Sequence, residues 1–185
     1  MEARRLSGHD RAGRVSAPAE ELVTHVDGPQ GAVVRYGPVL YVVWRAPTAE
    51  SPVAEADEAV RALTRRYGSE RKLLYVHRAP DATSFSRHGD EARDAVMKHF
   101  DRTEPYFRAA ALAIEATGFG GAAVRSITAG VTLVRRTAVK TKVFDDARSG
   151  LRWLATQCDP SAPFDPDAMI AELRKRELCR VFGEG

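Results

Sequence analysis

The feature that most constrains this chain is an alternation of strand-like and helix-like segments that follows an opening hairpin. Residues 32–36 and 39–44 are rich in β-branched and aromatic side chains, and a Gly-Pro pair at 37–38 separates them. This pattern predicts two antiparallel strands joined by a tight turn. A Ser-Pro pair at 51–52 then begins a segment with apolar residues at every third or fourth position, which predicts an amphipathic helix.

Three further strands are predicted, and a helix follows each of them. The strands lie at 73–76, 108–115 and 139–144, and the helices lie at about 90–101, 124–134 and 147–155. Because each helix must carry the chain back along the sheet before the next strand, these strands are expected to be parallel. The predicted fold is therefore an α/β domain of order ββαβαβαβα plus a C-terminal helix. The hairpin opens a mostly parallel sheet, and helices are expected to cover mainly one face of it.

The two ends of the chain differ in composition from its middle. Residues 1–20 contain almost no apolar side chains and several arginines, so we predict a mobile basic tail. The folded domain is expected at 21–158, and residues 22–26 are expected to add a short edge strand to it. Residues 159–185 form a Pro-rich linker and a C-terminal helix.

Composition and charge narrow the possible functions. Lys and Arg total 28 against 25 for Asp and Glu, and the basic residues are dispersed, which disfavours an extended nucleic-acid groove. The two cysteines have no paired spacing, which is typical of a protein in the reducing cytoplasm. No apolar run approaches the roughly 18 residues of a membrane helix. No nucleophile–base pair or metal-ligand set is evident, so we predict a protein without enzymatic activity.

A glycine motif lies between the strand at 108–115 and the helix at 124–134. Gly118, Gly120 and Ala123 match G-x-G-x-x-[GA], and Gly121 adds a further glycine to the turn. Backbone N–H groups at a helix N-terminus bind anions, so the motif is a candidate nucleotide or phosphate site. The alternative is a turn whose glycines allow a helix and a strand to pack closely. We favour the packing turn because the motif follows the fourth strand, whereas the dinucleotide fingerprint follows the first.

The last predicted strand and helix carry the most specific pattern in the chain. Val143 and Phe144 are followed by two acidic residues that would cap a helix, and then by Trp153 and Leu154. This pattern resembles the closing strand and helix of bacterial STAS and SEC14-like proteins, and the resemblance covers about residues 31–158. It implies a non-catalytic module that binds another protein in signalling. Two alternatives remain, namely a nucleotide bound at the glycine motif and a lipid held in an internal apolar cavity.

The resemblance also implies a candidate site after the third strand of the family pattern. STAS regulators accept a phosphoryl group there on a motif Asp-Ser-Ser/Thr-Gly, and the matching stretch here reads Asp-Ala-Thr-Ser at 81–84. The candidate partner or phospho-acceptor residues are Asp81, Thr83, Ser84, Phe85 and Ser86. The alternative is a polar connector whose hydroxyl groups cap the next helix. We also expect Trp153 and Leu154 to pack under the sheet.

Overall fold

Six strands form one mixed sheet among the residues that the structure describes, and their spatial order follows their order along the chain. The structure is a computed structural model that describes residues 21–29, 31–45, 51–67, 73–79, 98–115, 139–160 and 163–178. The strands are β1 (Leu22–Asp27), β2 (Gly31–Tyr36), β3 (Val39–Trp44), β4 (Leu73–Ala79), β5 (Phe107–Ile114) and β6 (Lys140–Phe144). The helices are α1 (Ser51–Tyr67), α2 (Ala147–Ala155) and α3 (Pro166–Lys175), and a helical segment at 98–103 precedes a 3-10 turn at Glu104–Tyr106.

The pairing of the strands changes from antiparallel to parallel at β3. β1, β2 and β3 pair antiparallel, whereas β3, β4, β5 and β6 run parallel to one another. Gly37 lies in the turn between β2 and β3 with a φ of 52°, a left-handed conformation that costs glycine little because it has no Cβ. The predicted hairpin, the edge strand near 22–26 and the parallel strands after the hairpin are confirmed.

Helices cover both faces of the sheet, so the expectation that they cover mainly one face is wrong. On one face, Val60 and Leu63 of α1 cluster with Val42 and Tyr75 of the sheet. On the other face, residues of α2 and α3 join the sheet in a second cluster, whose buried helical members are Ala147, Leu151, Leu154, Met169, Ile170 and Leu173. The physical reason is that parallel strands with two apolar faces need cover on both. The chain after β6 adds no further described strand, so α2 and α3 fold back over the second face.

Side-chain caps and close packing position α2. Asp146 is its N-cap, and one carboxylate oxygen accepts a hydrogen bond of 2.7 Å from the backbone N–H of Ser149, as the paired acidic residues predict. A Cβ built on Gly150 would lie 3.2 Å from the Cβ of Ala111, so glycine lets α2 approach β5 closely. Leu154 is fully buried as expected, whereas Trp153 is only partly buried and packs against the ring of Phe144 at a centroid distance of 5.6 Å.

Several predicted elements are described only in part. The predicted helix at 90–101 is described from residue 98, and that portion is helical through residue 103. The predicted tail at 1–20 and the predicted helix at 124–134 lie outside the described residues. α3 begins after its N-cap Asp165, as predicted, and its buried residues belong to the same core as α2.

Candidate functional site

The carboxyl edge of the parallel strands is where the candidate segments of the sequence leave the sheet. β4 ends at Ala79 and β5 ends at Ile114, and these two residues are register partners in adjacent strands. Both candidate sets lie outside the described residues: Asp81, Thr83, Ser84, Phe85 and Ser86 after β4, and Gly118, Gly120 and Gly121 after β5. The described chain therefore leaves the sheet toward both segments from paired positions of one edge. Segments that follow strand ends on a rigid sheet commonly carry binding residues.

A buried ion pair joins the ends of β4 and β5 at this edge. The Nη2 of Arg78 donates to a carboxylate oxygen of Glu115 at 2.6 Å, and the side chains are only 4% and 1% exposed. Arg78 is the second-last residue of β4, and Glu115 directly follows β5. Because both charges are removed from water, removing one partner would leave the other buried without its counterion, at a cost of about 3–5 kcal/mol.

The ion pair extends to two other parts of the chain. The second carboxylate oxygen of Glu115 accepts a hydrogen bond of 3.3 Å from the backbone N–H of Ala147, at the start of α2. The Nη1 of Arg78 donates to the backbone carbonyl of Leu178, just after α3, at 3.0 Å. We call these contacts of Arg78, Glu115, Ala147 and Leu178 the Arg78 network. It ties the carboxyl edge of the sheet to both helices of one face.

Neither charged residue of this pair was identified from the sequence. The strand predicted at 73–76 ends before Arg78. The strand predicted at 108–115 includes Glu115, but only as the last residue of an apolar run. The sequence nevertheless contains an indication of this contact. Arg78 lies at the end of one strand, and Glu115, which has the opposite charge, lies at the end of the next strand along the chain. Period-2 alternation places Arg78 on the same face as the buried Val76, where a charge requires a partner.

A second buried polar cluster lies on the opposite face, between α1 and the helical segment at 98–103. The carboxylate of Asp57 contacts Nδ1 of His99 at 2.7 Å and also accepts a hydrogen bond from Arg102. The rings of Tyr75 and Phe100 pack beside the imidazole, with centroid distances of 5.8 and 5.5 Å. His99 is 1% exposed, whereas the side chain of Arg102 is 52% exposed, so the cluster runs from the core to the surface.

Burial and the neighbouring charges together influence the protonation state of His99. Burial lowers the pKa of His99, although the hydrogen bond and the charge of Asp57 act in the opposite direction. Burial, and then the charge of Asp57, raises the pKa of Tyr75 above its ordinary value, so the phenol remains protonated. A neutral His99 donates from Nδ1 to Asp57. Its Nε2 is buried and has no hydrogen-bond partner within the described part of the chain.

The Asp57–His99 pair has the residue types of a general-base dyad, and the same carboxylate also contacts Arg102. In catalysis, the outer nitrogen of the imidazole must lie within reach of a substrate proton. Here Nε2 is buried, and the carboxylate bridges two helical segments. Within the described residues, the pair links α1 to the helical segment at 98–103. The sequence does not indicate this contact, because Asp57 and His99 are 42 residues apart along the chain.

Comparisons of the chain with protein-family models, with curated proteins and with solved structures gave no match. Within the described ranges, no group of three or more His, Cys, Asp or Glu side chains could hold a metal ion. Among the described helices, none is long and apolar enough to cross a membrane.

Proposed function

We propose that this chain is a STAS-like binding module without catalysis of its own, which recognises another protein at the carboxyl edge of its parallel strands. The observation that carries the proposal is the register pairing of Ala79 with Ile114. Through this pairing, residues 81–86 and 118–121 follow from adjacent points of one edge and can contribute to one surface. Binding residues are commonly placed on segments of this kind, which a rigid sheet positions.

The Arg78 network supports this choice of edge. The network holds the ends of β4 and β5, because Arg78 directly precedes Ala79 and Glu115 directly follows Ile114. Each candidate segment follows one of these two strand ends. A surface whose anchoring residues are already ordered loses less conformational entropy when a partner binds. The cysteine usage of the sequence further supports a cytoplasmic setting for the partner.

Site-specific photo-crosslinking tests the proposal directly. A photoreactive amino acid is introduced at Ser86 and, separately, at Gly121, and captured proteins are identified by mass spectrometry in the native cells. The matched control carries the same amino acid at Arg174, an exposed position of α3. We expect one protein to be captured from both Ser86 and Gly121 and not from Arg174. Capture of the same set of proteins from all three positions, or of none, would contradict the proposal.

A nucleotide and phosphate panel tests the competing small-ligand function. At a concentration about one hundred times its dissociation constant, a ligand stabilises the folded state by about 2.7 kcal/mol, which a melting curve detects easily. We expect no shift in the melting temperature with any member of the panel. A shift that Gly120→Val abolishes would instead support a nucleotide site at residues 118–121.

A further inference from the structure

The turn that follows α3 is built to place one carbonyl group against the sheet. The N–H of Leu178 donates to the carbonyl of Leu173 at 2.9 Å, and the N–H of Glu177 donates to the carbonyl of Arg174 at 3.0 Å. This is the Schellman pattern of helix ends, in which Glu177 takes the left-handed position with a φ of 55°. The side chains of Leu173 and Leu178 are both fully buried. The direction of the chain at Leu178 is therefore defined by the turn itself.

Three strands of the sheet hold this turn, which we call the C-terminal turn (residues 176–178). The carbonyl of Leu178 accepts hydrogen bonds from Arg78 of β4 at 3.0 Å and from Oη of Tyr41 of β3 at 3.3 Å. Arg176 donates to the hydroxyl of Thr24 at 2.6 Å and to the carbonyl of Leu22 at 3.1 Å, both in β1. The last carbonyls of a helix have no partner within the helix itself. The position of this turn is therefore held by three strands as well as by its own hydrogen bonds.

The guanidinium group of Arg78 connects the C-terminal turn to the carboxyl edge of the sheet. It donates at once to Leu178 and to Glu115, and Glu115 in turn accepts from the first residue of α2. These groups are buried, so a donor that loses its acceptor cannot simply turn to water. Displacement of Leu178 would therefore force Arg78 and Glu115 to rearrange. Those two residues flank the starting points of both candidate segments.

We propose that the C-terminal turn regulates the carboxyl edge, and that the seated turn is the binding-competent state. This inference rests on the function proposed above. When the turn is seated, Arg78 holds the ends of β4 and β5 in one arrangement. When the turn is displaced, the ends of both strands loosen and affinity for the protein partner falls. Arg78 is a positioning residue in this scheme, because it acts through the chain that follows Ala79 and not through contact with the partner.

Residue-resolved hydrogen exchange on the full chain tests the coupling. Leu178→Ala weakens the seat of the turn, and Ile170→Ala is the matched control, because it removes a buried aliphatic side chain from the same core one helical turn or more away. We expect the amides of Arg78, Ala79 and Glu115 to exchange about tenfold faster in Leu178→Ala, and within about twofold of the native rate in Ile170→Ala. Equal acceleration in both variants would overturn the proposal.

A second pair of variants tests the opposite direction without threatening the fold. Glu177 is exposed, and Glu177→Gly relieves its left-handed backbone, whereas Glu177→Ala removes the same carboxylate and keeps the strain. We expect slower exchange of the same three amides in Glu177→Gly and no slowing in Glu177→Ala. Unchanged exchange in Glu177→Gly together with unchanged exchange in Leu178→Ala would show that the turn and the edge are independent.

Crosslinking from Ser86 separates this inference from the proposed function. We expect Leu178→Ala to reduce capture of the partner, and Ile170→Ala to leave capture unchanged. Altered exchange with undiminished capture would overturn the regulatory role of the turn. If exchange at the edge changes as expected but Ser86 captures no protein even in the native chain, the coupling stands and the function proposed above is wrong. If capture occurs but exchange does not respond, the function stands and the turn does not regulate it.

Discussion

The two faces of the sheet bury charged groups in different ways. On the face covered by α1, Asp57 joins a neutral His99 and a half-exposed Arg102, and the contacts link two helical segments. On the face covered by α2 and α3, Arg78 and Glu115 form a fully buried ion pair that links strand ends, a helix start and the C-terminal turn. The two clusters therefore differ in what they connect: the first links two helical segments, whereas the second links two strand ends, a helix start and a turn.

The difference between the faces also predicts different responses to solution conditions. Arginine remains protonated at any pH that a folded protein tolerates, so the positive charge of Arg78 is constant. Burial lowers the pKa of the His99 imidazole below its ordinary value of 6.5, so the folded state opposes protonation of this side chain in acid. The α1 face should therefore respond to acid through His99. The following predictions test this contrast, beginning with the largest expected effect.

Loss of the buried arginine should have the largest effect. Arg78→Met leaves Glu115 buried without its counterion, so we expect the free energy of unfolding to fall by about 3–5 kcal/mol in urea titrations. The matched control is Arg108→Met, because Arg108 pairs with Asp159 at the surface, where its side chain is 46% exposed. That variant should lose less than about 1 kcal/mol. Equal losses in the two variants would mean that burial does not strengthen the Arg78 pair.

Packing variants in α2 compare the centre of its face with the rim. Leu154→Ala removes a fully buried side chain and should cost about 2–5 kcal/mol. Trp153 is larger but only partly buried against Phe144, so Trp153→Ala should cost about 2 kcal/mol, below the range for a fully buried aromatic side chain. Thermal or urea unfolding measures both values. A loss for Trp153→Ala well above that for Leu154→Ala would show that the rim contributes more than the centre.

Removal of the carboxylate charge on the α1 face should have an effect of about 1.5–3 kcal/mol, the range for hydrogen bonds to charged groups. Asp57→Asn keeps the shape of the side chain but weakens its bonds to both His99 and Arg102. Glu58→Gln is the control on the next residue of α1, where the carboxylate forms exposed ion pairs. We expect no measurable loss of stability from the control, because its ion pairs are exposed to solvent. A loss of stability for Asp57→Asn as small as that of the control would show that Asp57 does not stabilise the contact between α1 and residues 98–103.

The pH dependence of stability should be the smallest of these effects. Because burial lowers the pKa of folded His99 below its ordinary value of 6.5, the unfolded chain binds more protons than the folded chain in mild acid. The contribution of His99 to stability is therefore present above pH 6.5 and is lost as the pH falls below it. We expect the free energy of unfolding to decrease as the pH falls below 6.5. Once the pH is below the pKa of folded His99, the total loss should be roughly 1.4 kcal/mol for each unit by which the pKa is lowered.

Two asparagine variants identify the histidine responsible. His99→Asn keeps a donor for Asp57 and should reduce the slope of stability against pH. Desolvation, together with the charge of Arg35, also lowers the pKa of His25, but this residue is exposed. His25→Asn should therefore remove only a smaller part of the slope. A slope that persists in His99→Asn and disappears in His25→Asn would place the acid response at β1 instead of the α1 face.

The sequence by itself determined those features that depend on local spacing. The Gly-Pro turn at 37–38, the strand-like runs and the apolar stripe of α1 are each readable within a few residues, because side-chain direction repeats every two residues in a strand and every three or four in a helix. The acidic pair at 145–146 and Asp165 were recognisable as helix caps, because a short acidic side chain accepts hydrogen bonds from the free N–H groups at a helix start. The structure assigns the first of these caps to Asp146. The candidate residues at 81–86 and 118–121 remain predictions, and the sequence alone indicated only that each set follows a strand.

The tertiary structure decided which distant residues meet. Arg78 and Glu115 are 37 residues apart in sequence, and Arg78 and Leu178 are 100 residues apart. Their contacts depend on β4 lying beside β5, and on α3 returning to the face that α2 covers. Local periodicity marks one side of a strand or helix as apolar, but it does not specify the element that will cover it. That choice comes from the burial of both faces of the sheet at once, which is a property of the whole chain.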